Sequence, residues 1–328
     1  MLKARGDLED ALSVFDAALA LAPEWPDAHF ARAETLAEAG DTLAAREGYA
    51  AYLRFADADV MGAEARLALL GAAPTPASLP AAYVRTLFDQ YAERFDEALL
   101  TRLEYRAPYQ LRAAFDKAAP LAAASLRVLD LGCGTGLAGE AFRDRASWLA
   151  GVDLSPGMVA AARRKRLYDS LAVEEAVTAL AARPAAYDLV VAADVLVYIG
   201  DLAPLFRAAR HALAAGGYIC VSTERADAGD YSLGRGCRYA HGRPYIERLA
   251  AETGFEVVLH EDAVCRQEAG VDVPSRIAVL RAGACSEAEA HEADAGDIER
   301  EQRHAFQADI AGAAPLPRQQ PEHDDGGH

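Results

Sequence analysis

The stretch VLDLGCGTG, residues 128–136, holds the residues best suited to binding a charged cofactor. An apolar run with one carboxylate, Asp130, ends in glycines at alternate positions, Gly132, Gly134 and Gly136. Glycine lets the backbone turn tightly and lie close to a ligand. A carboxylate directly before such a turn would repel a pyrophosphate, which the turns of dinucleotide sites bind. The stretch therefore favours a cationic ligand.

S-adenosylmethionine carries the charges that suit this turn. Its ammonium and sulfonium outweigh its one carboxylate, so Asp130 can help to offset the net positive charge. The backbone of Gly132, Cys133, Gly134 and Gly136 would then lie close to the ligand. The turn predicts S-adenosylmethionine as the cofactor, with these five residues at its site.

Composition and charge exclude several classes of protein. The 328 residues carry a formal net charge of −17, whereas nucleic-acid binding depends on clustered Lys and Arg. No apolar run is long enough for a membrane span or a secretory signal. The five cysteines form no C-x-x-C pair, and the histidines lack the regular spacing of metal ligands. We expect a cytoplasmic protein with no metal, no nucleic-acid partner and no membrane partner.

Residues 120–283 alternate candidate strands and helices, as an open parallel sheet requires. The candidate strands are 127–131, 149–154, 171–175, 189–193, 218–223, 256–260 and 277–281. Helical patterns separate the first five strands, and the last two form a hairpin. The predicted fold class is α/β, with a seven-stranded, mostly parallel, doubly wound sheet.

Four further stretches follow the glycine turn in a fixed order. They are GVDLSPGMVAAARRK, LAVEEAVTAL, YDLVVAADVLVYIGDL and HALAAGGYICVSTE. Together with the turn they resemble the class I S-adenosylmethionine-dependent methyltransferases, in whose sheet the seventh strand is antiparallel. The resemblance implies a Rossmann-like methyltransferase fold and methyl transfer as the reaction.

The second stretch of the motif series places a carboxylate and two apolar residues at the cofactor. Asp153 closes the second strand, where it can accept both hydroxyls of an adenosyl ribose. Its alternative role is to cap the helix that begins near Pro156, but Ser155 stands in the better position for that cap. Leu154 and Met158 would form the apolar wall beside adenine.

The third and fourth strands supply the remaining cofactor candidates. The resemblance implies an acidic residue after the third strand that accepts the adenine amino group, and Glu175 is preferred to Glu174. Asp194 and Val195 stand at the carboxyl end of the fourth strand, where open α/β sheets hold ligands. The alternative role for Asp194 is to cap a turn.

Residues 1–72 are helical and contain a repeat with a period of 34 residues. GDLEDALSVFDAALAL from Gly6 returns as GDTLAAREGYAAYLRF from Gly40. The pattern resembles the tetratricopeptide repeat (TPR), with about one and a half copies and a further helix over 63–70. Such units do not bury their faces alone, so the segment should pack on the rest of the chain or on a protein partner. The natural start of the protein is expected upstream of Met1, or within a repeat.

Residues 73–119 are predicted to form a linker and a helical lid. Val84, Phe88, Tyr91, Phe95 and Leu99 lie on one helical face, which is more often core than ligand contact. The alternative is that F-D-x-Y-A-x-x-F-D resembles the lid segment of methyltransferases that act on quinone or biotin precursors. Phe88, Tyr91 and Phe95 would then contact the substrate.

The connection GRGCRYAHGRPYIERLA, between the fifth and sixth strands, holds the polar candidates for the acceptor pocket. His241 is the predicted general base, because an imidazole can accept a proton at neutral pH. Tyr239 is the second candidate. The alternative is that His241 has a structural role and stabilises the loop that contains it.

Three hypotheses for function remain open at the level of sequence. The first is methyl transfer to an O or N nucleophile of a small molecule, or of a protein docked by the repeats. The second is a non-catalytic TPR scaffold that only binds the cofactor. The third, a nicotinamide enzyme, is disfavoured by Asp130.

Residues 284–328 form an acidic tail whose composition predicts disorder.

Overall fold

A mixed β-sheet lies at the centre of the protein. The computed structural model describes residues 8–92, 104–120, 125–268 and 270–283. Within these residues the sheet has nine strands. They are β1 (Leu126–Leu131), β2 (Ala146–Asp153), β3 (Ser170–Val173), β4 (Tyr187–Ala192), β5 (Leu213–Arg225), β6 (Tyr231–Gly234), β7 (Arg238–His241), β8 (Phe255–Glu268) and β9 (Val271–Ala282).

Eleven α-helices accompany the sheet in the described part of the chain. The four before the linker are α1 (Leu8–Leu21), α2 (Pro26–Ala39), α3 (Thr42–Phe55) and α4 (Ala63–Leu69). The others are α5 (Ala81–Tyr91), α6 (Ala107–Ala118), α7 (Leu137–Phe142), α8 (Pro156–Lys165), α9 (Ala176–Ala181), α10 (Ala203–Ala212) and α11 (Arg243–Glu252).

The strand order is that of a doubly wound sheet. Strands β3, β2, β1, β4 and β5 are neighbours in that order and all run parallel. β9 pairs antiparallel with β5 and with β8. All seven predicted strands are present, including the antiparallel last strand. The prediction of seven strands is nevertheless wrong in number, because β6 and β7 add a hairpin that pairs with the end of β5.

Side chains of the central strands point alternately to the two faces of the sheet, and both faces are buried. Leu129 and Val190 point into one apolar cluster with helices α10 and α11. Val128 and Leu189 point into a second cluster with α6 and α7. The continuous apolar runs of β1 and β4 follow from this double coverage.

The N-terminal helices form a small core of their own. Phe30 packs edge to face against Tyr49 and Tyr52, with ring centroids 5.4 and 5.3 Å apart. All three rings are buried. Gly48 allows close approach of α2 and α3, since a Cβ there would lie 2.8 Å from the Cβ of Ala33. The predicted helical character of 8–69 is confirmed.

This helical segment packs on the sheet region through α4. Ala65 is fully buried in a cluster with Leu79, Val84 and Tyr239. Arg66 donates from Nη1 to Sγ of Cys237, in the turn between β6 and β7. The expected contact with the rest of the chain is therefore formed. The predictions for residues 1–7 and for the tail 284–328 lie outside the described residues.

Candidate cofactor and acceptor site

A cavity of about 560 Å³ lies at the carboxyl ends of the parallel strands. The turn after β1, the ends of β2 and β4, and helix α5 contribute to its wall. Its volume falls in the range of ~300–1,000 Å³ that small-molecule sites occupy. Its position is the one at which open α/β sheets bind ligands.

The glycine turn forms one wall of the cavity. Gly132, Cys133 and Gly134 line it, and the N–H of Cys133 donates to the carbonyl of Val152 at 2.9 Å. Gly132 has φ +67, and a Cβ there would lie 2.5 Å from Cγ2 of Val195. Glycine is therefore required by both conformation and space. Gly136 caps helix α7 and is not among the residues that line the cavity.

Asp153 stands beside this turn at the end of β2. Its Oδ2 accepts the N–H of Gly134 and its Oδ1 accepts the N–H of Ser155, both at 2.9 Å. Burial raises the pKa of Asp153, and the two backbone N–H groups act in the opposite direction. Leu154 also lines the cavity. Met158 is fully buried and does not line it, so the predicted adenine contact at Met158 is not formed by the described cavity.

Asp130 lies behind the turn and does not line the cavity. It is 2% exposed, and its Oδ2 accepts the hydroxyl of Tyr168 at 2.5 Å. Burial raises the pKa of Asp130 to about 7. In this position its predicted effect on a cationic ligand would act across the turn.

Two glutamates after β3 line the cavity. Glu175 caps α9: its carboxylate accepts the backbone N–H groups of Val177 and Thr178 at 3.0 and 2.8 Å. Glu174 pairs with Arg183 at 2.8 Å. Both carboxylates thus have protein partners. Glu175 also accepts the hydroxyl of Thr178 at 3.0 Å, so about one of its roughly four acceptor sites is left for the predicted contact with adenine.

Asp194 and Val195 line the cavity beside the glycine turn, as their position after β4 predicts. Asp194 has φ +59, an unusual backbone conformation for a residue other than glycine. Its N–H donates to Oγ of Ser222 at 2.8 Å. Its carboxylate accepts from Arg238 at 2.7 Å and from Arg266 at 2.9 Å. Such strain is typical of functional sites when several contacts hold it.

Aromatic rings also line the cavity. Phe88 and Tyr91, on the predicted lid helix, both line it. Phe88 packs edge to face on Tyr198, with ring centroids 5.4 Å apart. Tyr105 contributes a further buried ring. Phe95 lies outside the described residues.

The structure places His241 and Tyr239 away from the cavity. Both are fully buried. Nε2 of His241 lies 2.9 Å from the carbonyl of Ile199, and burial lowers the pKa of His241 to about 4. Tyr239 donates its hydroxyl to the carbonyl of Pro76 at 2.6 Å. A general base must reach the acceptor and take up a proton, so the proposal of His241 as the base is withdrawn.

The reason for this error is the strand that the connection forms. Residues 238–241 are β7, and side chains of a strand alternate between its two faces. Tyr239 and His241 therefore share the buried face, whereas Arg238 points toward the cavity. Sequence reasoning also missed Tyr198 and Arg266. Tyr198 lies in the stretch YDLVVAADVLVYIGDL, where nothing marks it as a lining residue, and Arg266 lies in no motif.

Comparison with known proteins agrees with this geometry. Residues 103–260 match a family described as a methyltransferase domain. The chain is 35% identical over 111 residues to a ubiquinone biosynthesis O-methyltransferase of Xylella fastidiosa (strain 9a5c), covering 33% of this chain and 44% of the relative. A protein of the same name from Xanthomonas campestris pv. campestris (strain B100) is 33% identical over 136 residues, covering 40% and 55%. The chain thus spans about half the length of the curated relatives it matches.

Among solved structures, the [4+2]-cyclase SpnF has a TM-score of 0.52 and 17% identity, covering 64% of this chain and 98% of that one. At this identity the likeness shows the fold. The sheet order agrees with this fold, and the family that residues 103–260 match is described as a methyltransferase domain.

The residues at the glycine turn fit S-adenosylmethionine. Each oxygen of Asp153 accepts one backbone N–H, and a carboxylate has about four acceptor sites. Two ribose hydroxyls can therefore still bind. The cations among the described lining residues are Arg238 and Arg266, and both pair with carboxylates. A pyrophosphate at the turn would therefore find no uncompensated positive charge.

Proposed function

We propose that this protein is an S-adenosylmethionine-dependent methyltransferase that acts on an O or N nucleophile of a small molecule. The observation that carries the proposal is the joint placement of Gly132, Gly134, Asp153 and Asp194 in one cavity that aromatic rings also line. The similarity to ubiquinone biosynthesis O-methyltransferases supports an acceptor of aromatic character. The acceptor is proposed to bind between Phe88, Tyr91 and Tyr198.

When bound, the cofactor supplies a methyl group on a cationic sulfur that is a good leaving group. The chain's own contribution is to hold the acceptor in line and to exclude water. The apolar and aromatic side chains that line the cavity would exclude water from the reacting groups. No histidine lines the cavity among the described residues, so alignment rather than an imidazole base is proposed to supply most of the acceleration, on the order of 7–11 kcal/mol at best.

The organisation proposed for the chain keeps the predicted boundaries. Residues 1–72 are proposed to be TPR-like repeats, 73–119 the linker and lid, and 120–283 the catalytic domain. A protein partner on the repeats and a cytoplasmic location are part of the same proposal. The described part of the chain has no helix long and apolar enough to cross a membrane, and no cluster of metal-ligating side chains.

Two measurements test the proposal. Isothermal titration calorimetry should show binding of S-adenosylhomocysteine and none of NAD. A small-molecule extract incubated with the protein and methyl-labelled S-adenosylmethionine should yield a labelled product together with S-adenosylhomocysteine. Cofactor binding without any methyl release would favour the alternative, a TPR scaffold whose methyltransferase-like domain only binds the cofactor.

A further inference from the structure

Arg238 is a polar group that lines the cavity and to which the proposed function gives no role. It begins β7 and lines the cavity, and 23% of its side chain remains exposed. Nη2 donates to Oδ2 of Asp194 at 2.7 Å, and Nε donates to Oε1 of Glu224 at 2.9 Å. Nη1 has no hydrogen-bond partner among the residues that the structure describes. One nitrogen of a fixed guanidinium is therefore available to a ligand.

Arg266 holds the same carboxylates, and each of its three nitrogens already donates to a carboxylate. Its Nη1 donates to Asp194 at 2.9 Å, its Nη2 to Glu224 and Glu268, and its Nε to Glu268. Only 2% of its side chain is exposed. Arg266 thus serves as a buried counter-charge. It keeps Asp194 and Glu224 in the positions from which they orient Arg238.

The charges of this cluster bear on the class of ligand. Two arginines balance Asp194 and Glu224, and the remaining carboxylate, Glu268, is 56% exposed and screened by solvent. The buried part of the cluster is therefore close to neutral. A neutral cluster with an open N–H donor suits an oxygen acceptor, whether that oxygen belongs to a carbonyl or to a carboxylate.

The surroundings of Arg238 are aromatic. Its guanidinium carbon lies 5.4 Å from the centroid of Tyr198, which packs against Phe88. Asp194, its partner, adjoins Val195, whose side chain touches the glycine turn. Arg238 therefore lies between the ring-binding surface and the wall of the cofactor site. A ligand on this surface would bring a ring and an oxygen together.

We propose that Arg238 binds a carbonyl or carboxylate oxygen on the ring of an aromatic methyl acceptor and so selects for such acceptors. This rests on the proposed function. A site built to donate a hydrogen bond discriminates against analogues that lack the acceptor atom, because its own donor is then left unpaired. The aromatic lining provides the area for the ring, and Arg238 sets its orientation.

Three probes of similar shape test this selectivity: benzoate, acetophenone and isopropylbenzene. Their dissociation constants are measured by ligand-observed NMR on protein saturated with S-adenosylhomocysteine. Benzoate and acetophenone should each bind at least about tenfold more tightly than isopropylbenzene, as expected for a hydrogen bond to a charged group. If only one of them shows this preference, it identifies which oxygen the site takes. Equal binding of all three probes, or binding of none, would overturn the inference.

A double variant links the preference to Arg238. Arg238→Gln with Glu224→Gln replaces the guanidinium by a shorter, neutral amide and keeps the net charge of the cluster. It should reduce the preference to less than about threefold. The matched control is Arg248→Gln with Asp230→Asn, which removes an exposed pair at 2.8 Å outside the cavity. It should keep the full preference. A preference that persists in the first double variant would contradict the role of Arg238.

The same samples separate this inference from the proposed function. Binding of S-adenosylhomocysteine to the wild-type protein, measured by calorimetry, tests the cofactor site alone. If the cofactor product binds and labelled extract yields a methylated product but the probes bind equally, only the role of Arg238 fails. If neither cofactor binding nor methyl release is found, the proposed function is wrong, and the role of Arg238 that rests on it is wrong as well.

Discussion

Asp153 is the residue on which the proposed cofactor site most depends. Asp153→Ala should weaken S-adenosylhomocysteine binding by roughly 1.5–3 kcal/mol, the range for hydrogen bonds to a charged group. Asp153→Asn keeps one oxygen at the same place and should lose less. Calorimetry on both variants measures the difference. An alanine variant that binds within twofold of the wild type would remove the ribose assignment.

A second prediction concerns His241 and the pH dependence of the free energy of unfolding. Its folded pKa is about 4, below the ordinary value of 6.5, because the ring is buried. The unfolded chain therefore binds the proton more readily between these pH values. The contribution of His241 to the free energy of unfolding should be complete above pH 6.5 and lost as pH falls toward 4. With ~1.4 kcal/mol for each pH unit, the loss is about 3 kcal/mol.

The variant His241→Gln isolates this effect. Glutamine can still donate to the carbonyl of Ile199 but cannot titrate. The difference in unfolding free energy between variant and wild type, from urea titrations at pH 7.5 and pH 4.5, should therefore change with pH. Asp130 has a raised pKa and contributes with the opposite sign, but its contribution cancels in that difference. A difference independent of pH would show that His241 does not titrate as described.

Some residues could be placed from the sequence and others could not, for a physical reason. Gly132, Asp153, Asp194 and Val195 lie at or just after strand ends, so the parallel sheet alone brings them to one edge. The predicted contact of Met158 with adenine depended instead on which face of helix α8 is directed at the cofactor. Packing against residues that are distant in sequence decides which face is buried, and the pattern of a single sequence does not reveal it.

At the scale of elements, the turn between β1 and α7 depends on its contact with the segment after β4. Gly132→Ala would place a methyl group 2.5 Å from Cγ2 of Val195 and at φ +67. It should lower the free energy of unfolding by about 1–3 kcal/mol and weaken cofactor binding. Urea unfolding and calorimetry measure both quantities.

A second substitution separates the two causes. Val195→Ala removes the methyl groups that would clash, so Gly132→Ala should be less harmful in its presence. Recovery should be partial, since the unfavourable φ remains. If Val195→Ala gave no recovery at all, contact between the two elements would not be the reason for the glycine.

The β6–β7 hairpin is the element that sequence could not predict. Residues 231–241 contain glycines and charges and lack an apolar run, which is typical of a connection. Their strand character comes from pairing with Glu224 and Arg225 of β5, a contact distant in sequence. The long apolar strands and the 34-residue period were predictable because their patterns are local.

At the scale of the whole molecule, the helical segment shares one apolar cluster with residues that line the cavity. Ala65 of α4 packs with Leu79, Val84 and Tyr239. Leu79 and Val84 also line the cavity, and the N–H of Leu79 donates to the carbonyl of Tyr198 at 2.9 Å. The segment thus supports the part of the cavity wall that Leu79 and Val84 form beside Tyr198, which we call the acceptor wall.

Loss of this support should therefore impair the binding of the acceptor more than the binding of the cofactor. Deleting residues 1–72 should expose the apolar cluster, raise the binding of a hydrophobic dye and lower turnover, while S-adenosylhomocysteine affinity stays within about threefold. A point variant keeps the chain intact: Ala65→Glu buries a charge without a partner and should cost at least about 2 kcal/mol of stability. Ala50→Glu, on an exposed position of α3, is the control and should cost less than about 0.5 kcal/mol. A truncated protein that binds no dye and keeps full turnover would show that the acceptor wall stands without the helices.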